Sequence, residues 1–364
     1  MVIVLLSAAS SIHTVQWANG FCAVGHTVHV ISQHPIVDPF SDGVHVHLLP
    51  YRGMLGYYLN ARKARKLIQE ISPDIINAHY ASGYGTTARL INIHPYILSV
   101  WGSDVYSFPY KSLIHKNIVR KNLDSADHIA STSKCMAEKV IELSTNLRLE
   151  DIKVTPFGVD VDLFTSKREK LKNVSKVVIG TVKTMKPIYG IDTLIYAYAE
   201  LKKMLSNDAE TSNQDVELVL VGGGEQTNQL VALCNELGVD DSVKFVGQVP
   251  HEAVPNQLNN FDIFVALSKS ESFGVAVLEA GAMELPVVVS DADGLAEVTI
   301  DNVTGFVVPK QDHSSAALAL KKLVVNHELR LKMGKNGCDN VHRHYSWEVC
   351  ISTMTKLYRN TLHG

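Results

Sequence analysis

Basic residues are absent from the start of this 364-residue chain, since no lysine or arginine precedes Arg52. A secretory signal peptide carries a basic segment ahead of its apolar run, so the short apolar stretch Val2–Leu6 is predicted to be a buried strand. No run of about 18 apolar residues, the length of a membrane-spanning helix, occurs in the sequence. We therefore expect a cytoplasmic protein.

Cysteine pairs and metal-ligand spacings are also absent. The five cysteines lie far apart and form no CxxC pair, and the 16 histidines include no HExxH sequence. An odd number of unpatterned cysteines indicates reduced thiols rather than a disulfide framework. We expect neither a metal nor any other cofactor.

A strong excess of positive charge is missing as well. Lysine and arginine number 34 and aspartate and glutamate 37, which gives a net charge of −3. Proteins that bind nucleic acid mainly through its backbone need a strongly basic face, so we expect no nucleic-acid partner. Hydrophobic residues make up 46% and charged residues 20% of the chain, a composition typical of globular proteins.

The arrangement of apolar segments predicts an α/β protein. Short apolar runs alternate with longer amphipathic segments, which is typical of parallel β-α-β units. The predicted strands are 2–6, 27–31, 44–48, 74–78, 96–100 and 128–131, then 176–180, 216–221, 243–246, 263–266, 286–290 and 305–308. The predicted helices include 15–24, 56–71, 191–205 and 226–237.

The alternation restarts after a Pro/Gly turn and a charged stretch within 155–173, which indicates a linker. We predict a first domain at 1–165, a second at 166–345, and an amphipathic helix at 346–364 that packs back toward the first domain. In doubly wound sheets ligands bind at the carboxyl ends of the strands. Two such domains facing one another would form a cleft for the ligand.

The segment Leu267–Pro286 carries the most chemical information. A predicted strand ends near its beginning, and a helix begins near Phe273 or Gly274. Free backbone N–H groups at a helix start bind anions, and glycine lets a ligand come close to the backbone. A diphosphate would fit this position.

Two glutamates lie in the same segment, Glu271 in the loop and Glu279 about one and a half turns into the helix. Because its carboxylate would repel phosphate, Glu271 is expected to accept hydrogen bonds from nearby hydroxyls. A carboxylate at Glu279 can accept both hydroxyls of a ribose. A single glutamate here would more often be a solvated helix-end residue, but the pair around Phe-Gly favours a binding site.

This segment resembles the E-x7-E region of retaining glycosyltransferases of the GT-B fold, family 4 type. Residues 268–288 match the pattern S-x-x-E-x-F-G-x-x-x-L-E-A-x-A-x-x-x-P-V-V closely. The similarity continues at 25–26, 78–80, 101–104, 157–160, 245–247, 261–263, 294–297 and 304–309. It covers nearly the whole chain and is most specific in the C-terminal half.

The resemblance implies a fold of two doubly wound Rossmann-like domains facing across a cleft. It also implies a nucleotide-sugar donor in the C-terminal domain, an acceptor mainly in the N-terminal domain, retention of anomeric configuration and no metal. Glu279 would bind the ribose and Glu271 the donor sugar. The donor phosphates would lie against the helix start, formed by Ser272, Phe273, Gly274 and Val275.

Basic residues that could hold the diphosphate follow the strand at 176–180. The family has an arginine or lysine here and a second lysine five residues later; Lys183 matches the first, whereas Ile188 occupies the second position. The flexible side chain of Lys186 could take its place, although either lysine could also be an ordinary surface residue. Fixed cations would stabilise the charge on the departing nucleoside diphosphate, so Lys183 is also expected to be catalytic. Gly224 lies in a glycine-rich loop that would let the backbone approach the donor, with a plain tight turn as the alternative.

In the N-terminal half the resemblance indicates the acceptor. His13, Trp17, His79 and Trp101 are the candidate acceptor residues, with ordinary packing as the alternative. Trp101 stands where many relatives have a histidine, and tryptophan cannot accept a proton. If a base is needed, Asp104 or His79 would have to serve as the catalytic group. In a front-face retaining mechanism the departing phosphate oxygen can take the acceptor's proton instead.

Residues 52–66 combine five basic side chains with apolar ones and contain no acid. This is either a solvated helix face or a surface that docks on anionic lipid or a lipid-linked acceptor.

We thus predict a retaining, hexosyltransferase-type glycosyltransferase with a UDP- or GDP-linked donor and a sugar or lipid-linked glycan acceptor. Its expected setting is bacterial surface-polysaccharide assembly, with peripheral contact at the inner face of the membrane. The alternatives are a nucleotide-sugar epimerase on the same fold and a non-catalytic sugar-nucleotide-binding protein.

Overall fold

The computed structural model describes residues 1–167 and 176–363 of the chain. They fall into two units, each built on its own parallel sheet. Unit 1 is formed by Met1–Gly158 together with the C-terminal segment that begins at Trp347, and unit 2 by Val159–Ser346. Positions 168–173 of the predicted linker lie outside the described residues.

Unit 1 begins with seven strands and seven helices that follow the predicted alternation. The strands are β1 (Val2–Leu6), β2 (Thr27–Ser32), β3 (Val44–Leu48), β4 (Ile75–His79), β5 (Tyr96–Val100), β6 (His128–Ser131) and β7 (Ile152–Val154). The helices are α1 (Ile12–Ala23), α2 (Gly53–Leu59), α3 (Ala61–Ile71), α4 (Gly85–Ile91), α5 (Ser103–Tyr106), α6 (Leu113–Leu123) and α7 (Lys134–Leu143).

The seven strands of unit 1 form one parallel sheet in the order β3-β2-β1-β4-β5-β6-β7. The central strands β4 and β5 are buried along their whole length, because helices cover both faces of a parallel sheet. This is why they appear in the sequence as continuous apolar runs. The strand order reverses between β1 and β4, so Ser7 and His79 meet at the carboxyl ends of these strands.

The described part of unit 2 has six strands and seven α-helices. The strands are β8 (Lys176–Val182), β9 (Asp215–Val221), β10 (Val243–Gly247), β11 (Ile263–Ala266), β12 (Val287–Ser290) and β13 (Gly305–Val308). The helices are α8 (Ile191–Ser206), α9 (Thr227–Leu237), α10 (Val254–Leu258), α11 (Val275–Ala282), α12 (Asp293–Val298), α13 (His313–Val325) and α14 (His327–His344). All strand pairs are parallel, in the order β10-β9-β8-β11-β12-β13, and the order reverses between β8 and β11.

The division of the chain lies earlier than the predicted boundary at 165. The Val159 N–H donates to the Tyr345 carbonyl at 2.7 Å, and Val159 forms a bridge with Ser346. Phe164 is buried within unit 2. The segment from Val159 onward therefore already belongs to the second sheet's unit.

The last helix, α15 (Trp347–His363), lies in unit 1. It packs on α1, where Gly20 faces Ile351 with no room for a Cβ. The Asn77 amide of β4 donates to the Tyr358 hydroxyl at 2.7 Å. Unit 1 is thus completed by a segment that follows all of unit 2 in the chain.

The single helix predicted over 56–71 is wrong, because α2 and α3 meet at Asn60. The buried Asn60 side chain donates to the Tyr51 carbonyl at 2.7 Å and accepts from the Tyr51 N–H. These bonds tie the junction of the two helices to Tyr51. Among the described residues, no helix is both long and apolar enough to cross a membrane.

Candidate functional site

Lys183 and Glu271 meet at the switch point of the unit 2 sheet. Lys183 follows β8 and Glu271 lies in the loop after β11, and the strand order reverses between these two strands. The Lys183 ammonium donates to Glu271 Oε2 at 2.6 Å, and both side chains are largely shielded from solvent. The fold brings two residues 88 positions apart together at the place where doubly wound sheets bind ligands.

Two neighbouring side chains hold this pair. Ser268 Oγ donates to Glu271 Oε2 at 3.2 Å, and the Lys183 ammonium lies 4.5 Å from the centroid of the Tyr189 ring, a cation–π distance. The ammonium thus has a carboxylate on one side and an aromatic face on another. Because an ammonium carries three N–H groups, it can still donate to an anion such as phosphate.

The start of α11 has the geometry of an anion site. The helix begins directly after Gly274, whose φ of +109° lies in the left-handed region. A side chain there would be strained, and its Cβ would lie only 3.0 Å from Leu295 and 3.3 Å from Val298. The first N–H groups of a helix have no acceptor inside it. The start of α11 therefore has the free N–H groups that an anion site needs, and the binding of a phosphate there stays a prediction.

The glycine-rich loop after β9 packs against the backbone that follows β8. A Cβ at Gly222, where φ is +131°, would overlap the Lys183 carbonyl, and one at Gly224 would crowd the Met185 carbonyl. These glycines allow the two loops to approach each other and so help to position Lys183. The packing accounts for Gly224, and its contact with a donor stays a prediction.

Lys186 and Ile188 are both exposed in the loop after β8. The Ile188 carbonyl accepts from the Lys269 N–H at 2.8 Å, which joins this loop to the one after β11. Ile188 therefore has a backbone role in the site although its side chain carries no charge. The binding of a diphosphate by Lys186 stays a prediction.

Glu279 is nearly buried in the middle of α11, with 8% of the residue exposed. His251 Nε2 lies 2.9 Å from Glu279 Oε1. This hydrogen bond raises the pKa of His251 above its usual range, against the opposing effect of burial. Glu279 is thus a shielded carboxylate with a histidine partner rather than a solvated helix-end residue.

His79 lies at the switch point of unit 1 and is buried. Its Nδ1 is 2.8 Å from Ser7 Oγ, which is 2.7 Å from Thr14 Oγ1. Its ring lies against Trp101, with the centroids 4.3 Å apart. Burial lowers the pKa of His79 to about 3. So weak a base cannot accept protons efficiently near neutral pH, and the geometry argues against this catalytic role.

The Asp104 carboxylate joins two loops of unit 1. It accepts from the N–H groups of Ala81 at 2.7 Å, Gly102 at 2.9 Å and Trp101 at 3.2 Å. The residue is 1% exposed, and burial raises the pKa of its carboxyl group. A base would have to be accessible and to release these donors. We therefore correct the predicted role of Asp104 from a catalytic base to a structural one.

The predicted acceptor residues of α1 separate into two environments. Trp17 is buried and packs against Phe21 and Trp347, with ring centroids 5.5 and 5.1 Å apart, so the prediction that it binds an acceptor is wrong. His13 is partly exposed and stacks on Phe157 at 4.1 Å. Trp101 also packs against Phe157, at 5.2 Å. His13 and Trp101 thus share one aromatic cluster, and their contact with an acceptor stays a prediction.

Sequence reasoning missed two residues of the unit 2 site, His251 and Tyr189. His251 follows a proline in a loop and lies 28 positions from Glu279. Tyr189 is a common loop residue whose role depends on what lies opposite it. Ser268, by contrast, stands at the first position of the pattern matched by residues 268–288. An aromatic residue directly before Gly190, which has a φ of +62°, is the one local feature that could have indicated a packed loop.

Two parallel doubly wound units, one with a lysine–carboxylate pair and a helix start at its switch point, match the fold and site expected of a GT-B glycosyltransferase. The family comparison agrees. The profile of the glycosyl transferases group 1 matches residues 164–339, and that of the glycosyl transferase 4-like family matches residues 2–133. The chain belongs to the group 1 glycosyltransferases.

Individual relatives are distant but match over most of the chain. An uncharacterized glycosyltransferase of Methanocaldococcus jannaschii is 27% identical over 325 residues, covering 86% of this chain and 82% of the relative. The sucrose-phosphate synthase of Thermosynechococcus elongatus has a TM-score of 0.82 at 21% identity, over 99% of both chains. Anabaena HepE, solved with UDP and glucose, has a TM-score of 0.77 at 17% identity, over 99% of this chain and 100% of HepE.

Proposed function

We propose that this glycosyltransferase takes a nucleoside-diphosphate sugar as donor and transfers the sugar with retention of configuration. The observation that carries the proposal is the Lys183–Glu271 pair at the carboxyl ends of β8 and β11. The loop that holds Glu271 leads directly into α11, whose start can bind an anion. The complex of Anabaena HepE with UDP and glucose supports a donor of this class.

In the proposed complex the diphosphate lies against the first turn of α11 and the Lys183 ammonium. The helix dipole and the cation both favour negative charge there. Glu279 accepts hydrogen bonds from the ribose hydroxyls. Glu271, whose Oε2 already accepts from Lys183 and Ser268, offers Oε1 to hydroxyls of the sugar.

The proposed transfer takes place on one face of the donor sugar. The bond between the anomeric carbon and the phosphate oxygen breaks, and the acceptor oxygen bonds to that carbon from the same side. The acceptor's proton passes to the departing phosphate oxygen, so no protein base is required. This suits a chain in which His79 and Asp104 are buried. Lys183 and the start of α11 stabilise the charge of the leaving nucleoside diphosphate.

A nucleotide screen tests the donor. Because a ligand that binds the folded state stabilises it by mass action, the donor should raise the melting temperature most among UDP, GDP and their common sugars. Glu279→Ala should reduce this shift, whereas Glu236→Ala, on the exposed face of α9, should leave it unchanged. Absence of a shift with every nucleotide would contradict the proposal.

The anomeric configuration of the product, read by NMR, tests the mechanism. A product with the donor's configuration is expected, and an inverted product would contradict retention. Conversion of the nucleotide sugar into its epimer without acceptor would instead indicate an epimerase. Donor binding without turnover across an acceptor panel would indicate a non-catalytic sugar-nucleotide-binding protein.

For the acceptor we propose a sugar or lipid-linked glycan of a bacterial surface polysaccharide, bound by unit 1 beside an anionic lipid surface. The support is the surface of α2 and α3 within residues 52–66. Exposed apolar and basic side chains lie side by side there: Met54, Leu55, Tyr58, Leu59, Arg62, Lys63, Arg65 and Lys66. Apolar side chains beside cations are typical of surfaces that bind anionic membranes.

Vesicle flotation tests this surface. Binding to phosphatidylcholine vesicles should require added phosphatidylglycerol, and Arg65→Gln with Lys66→Gln should weaken it by about tenfold or more, at about 1 kcal/mol per basic residue. The matched control is Lys332→Gln with Lys335→Gln, two exposed lysines of α14. Equal flotation with and without the anionic lipid would contradict the proposal.

A further inference from the structure

The contact between His251 and Glu279 joins a loop to the middle of α11. His251 begins a short 3₁₀ turn, His251–Ala253, that leads into α10. Its Nε2 lies 2.9 Å from Glu279 Oε1. The Glu279 side chain is 11% exposed and that of His251 is 40% exposed. The histidine therefore stands between a shielded carboxylate and solvent.

The Glu279 carboxylate has one oxygen engaged and one available. Within the described part of the chain, its hydrogen bonding consists of the contact of Oε1 with His251. Shielding a carboxylate from water costs free energy unless the carboxylate is paired or hydrogen-bonded. The cost would rise further when a nucleoside covers Glu279 and removes the remaining water.

We propose that His251 is a positioning residue of the donor site, which holds Glu279 Oε1 so that Oε2 accepts from the ribose hydroxyls of the bound nucleotide. The proposal rests on the proposed function, in which Glu279 binds the ribose. His251 does not touch the donor in this arrangement. It fixes the orientation of the carboxylate.

The surroundings of His251 favour its charged form. The facing acids are Glu279 on α11, the adjacent Glu252, and Asp160 in the segment that opens unit 2, and all three raise the pKa of His251. Phe164 packs against the imidazole with ring centroids 5.5 Å apart. Burial acts in the opposite direction. The net effect is an imidazolium that persists to higher pH than that of an ordinary histidine.

This arrangement has a consequence for the pH dependence of nucleotide binding. Below the raised pKa of His251 the contact with Glu279 is charge-assisted, and such hydrogen bonds are about twice as strong as neutral ones. As the pH rises through that pKa the histidine loses its charge. The contribution of the ribose to affinity should therefore fall as pH increases.

The test compares UDP with 2′,3′-dideoxy-UDP by calorimetry between pH 5.5 and 8.5; the guanine pair replaces them if the nucleotide screen selects GDP. Both nucleotides of a pair carry the same titrating phosphate. The ratio of their affinities therefore measures the contribution of the ribose hydroxyls alone. For the wild type we expect a preference for the ribonucleotide that declines as the pH rises. His251→Ala should lower this preference by about tenfold, because Glu279 loses a hydrogen bond to a charged group.

Two further variants separate positioning from general structural effects. His251→Gln can still donate to Glu279 but does not titrate, so it should restore much of the preference and remove its pH dependence. His313→Ala, an exposed histidine of unit 2 that lies 3.6 Å from Glu200, should change neither. An equal loss of affinity for both nucleotides in His251→Ala, or a wild-type preference that does not vary with pH, would overturn the proposal. Failure of the wild type to bind any ribonucleotide would instead contradict the proposed function.

Discussion

Single residues show that the same side-chain type serves different purposes in the two units. His79 of unit 1 is neutral because burial lowers its pKa to about 3, whereas acidic neighbours raise the pKa of His251 in unit 2. Asp104 accepts from three backbone N–H groups, whereas Glu271 pairs with a lysine at the switch point. The environment of a side chain, not its type, decides whether it has a structural role or belongs to the candidate site.

The low pKa of His79 predicts a pH-dependent stability of unit 1. Between about pH 6.5 and pH 3 the unfolded chain binds a proton at this histidine that the folded chain does not, so the free energy of unfolding falls as the pH falls. From pH 6.5 to pH 5 the loss is about 2 kcal/mol, at about 1.4 kcal/mol per pH unit. His79→Gln removes the titration and should reduce the loss by this amount.

Urea unfolding at pH 7.5 and pH 5, followed by tryptophan fluorescence, measures this effect. All three tryptophans, Trp17, Trp101 and Trp347, belong to unit 1, so the signal reports that unit. His115→Gln, at a half-exposed histidine of α6, is the control and should retain the wild-type loss. The same loss in His79→Gln as in the wild type would show that His79 does not carry the effect.

At the scale of elements, α14 supports the helix that holds Glu279. The two helices pack closely because glycines face their contact. Gly281 of α11 faces Gly337 and Val341 of α14, and Gly334 lies against the carbonyl of Glu284, just after α11. An added Cβ at Gly334 would overlap that carbonyl, whereas one at Gly337 would be 3.5 Å from its nearest neighbour, the Gly281 Cα.

Two alanine substitutions one turn apart test this packing. Gly334→Ala should destabilise unit 2 by about 1–3 kcal/mol, the usual cost of overpacking. Gly337→Ala should cost much less, since the space is adequate and alanine favours a helix by about 1 kcal/mol over glycine. Hydrogen exchange of peptides from α11 and α14 measures the difference. Equal protection of these peptides from exchange in both variants would show that the contact between α11 and α14 adjusts to the added Cβ.

At the scale of the whole molecule, unit 1 is built from two segments of the chain. The segment from Trp347 returns to unit 1 after all of unit 2. Its helix α15 is bonded to the sheet through Tyr358, which accepts from the Asn77 amide, and Asn77 in turn accepts from Ser99 at 2.9 Å. The chain of unit 1 before Gly158 therefore lacks part of its core until the C-terminal helix is in place.

Tyr358→Phe tests how much this connection stabilises unit 1. The substitution leaves the buried Asn77 amide without its oxygen acceptor, which should cost about 1–3 kcal/mol. Tryptophan fluorescence should show the loss in unit 1, whereas UDP affinity should not change if the donor binds in unit 2 as proposed. Tyr196→Phe, at an exposed tyrosine of α8, is the control. Unchanged stability of unit 1 would show that α15 is held by apolar packing alone.

Much of the fold and part of the candidate site could be predicted from the sequence, because these features are local. Strands buried on both faces appear as continuous apolar runs, so the strands of the parallel sheets can be predicted before any contact is known. The segment Leu267–Pro286 places a loop glutamate, a glycine and a helix start in one short stretch. Lys183 could be identified because it follows a strand at a position that the family fills with a cation.

The sequence by itself therefore determined the α/β class, the family and the loops at the carboxyl ends of β8 and β11. Only the tertiary structure decided which side chains act together. It paired His251 with Glu279, packed Trp17 of α1 against Trp347 of α15, and engaged Asp104 with backbone donors. The reason is physical: burial and hydrogen bonding depend on segments that are distant in the chain, and no local pattern records which of them the fold brings into contact.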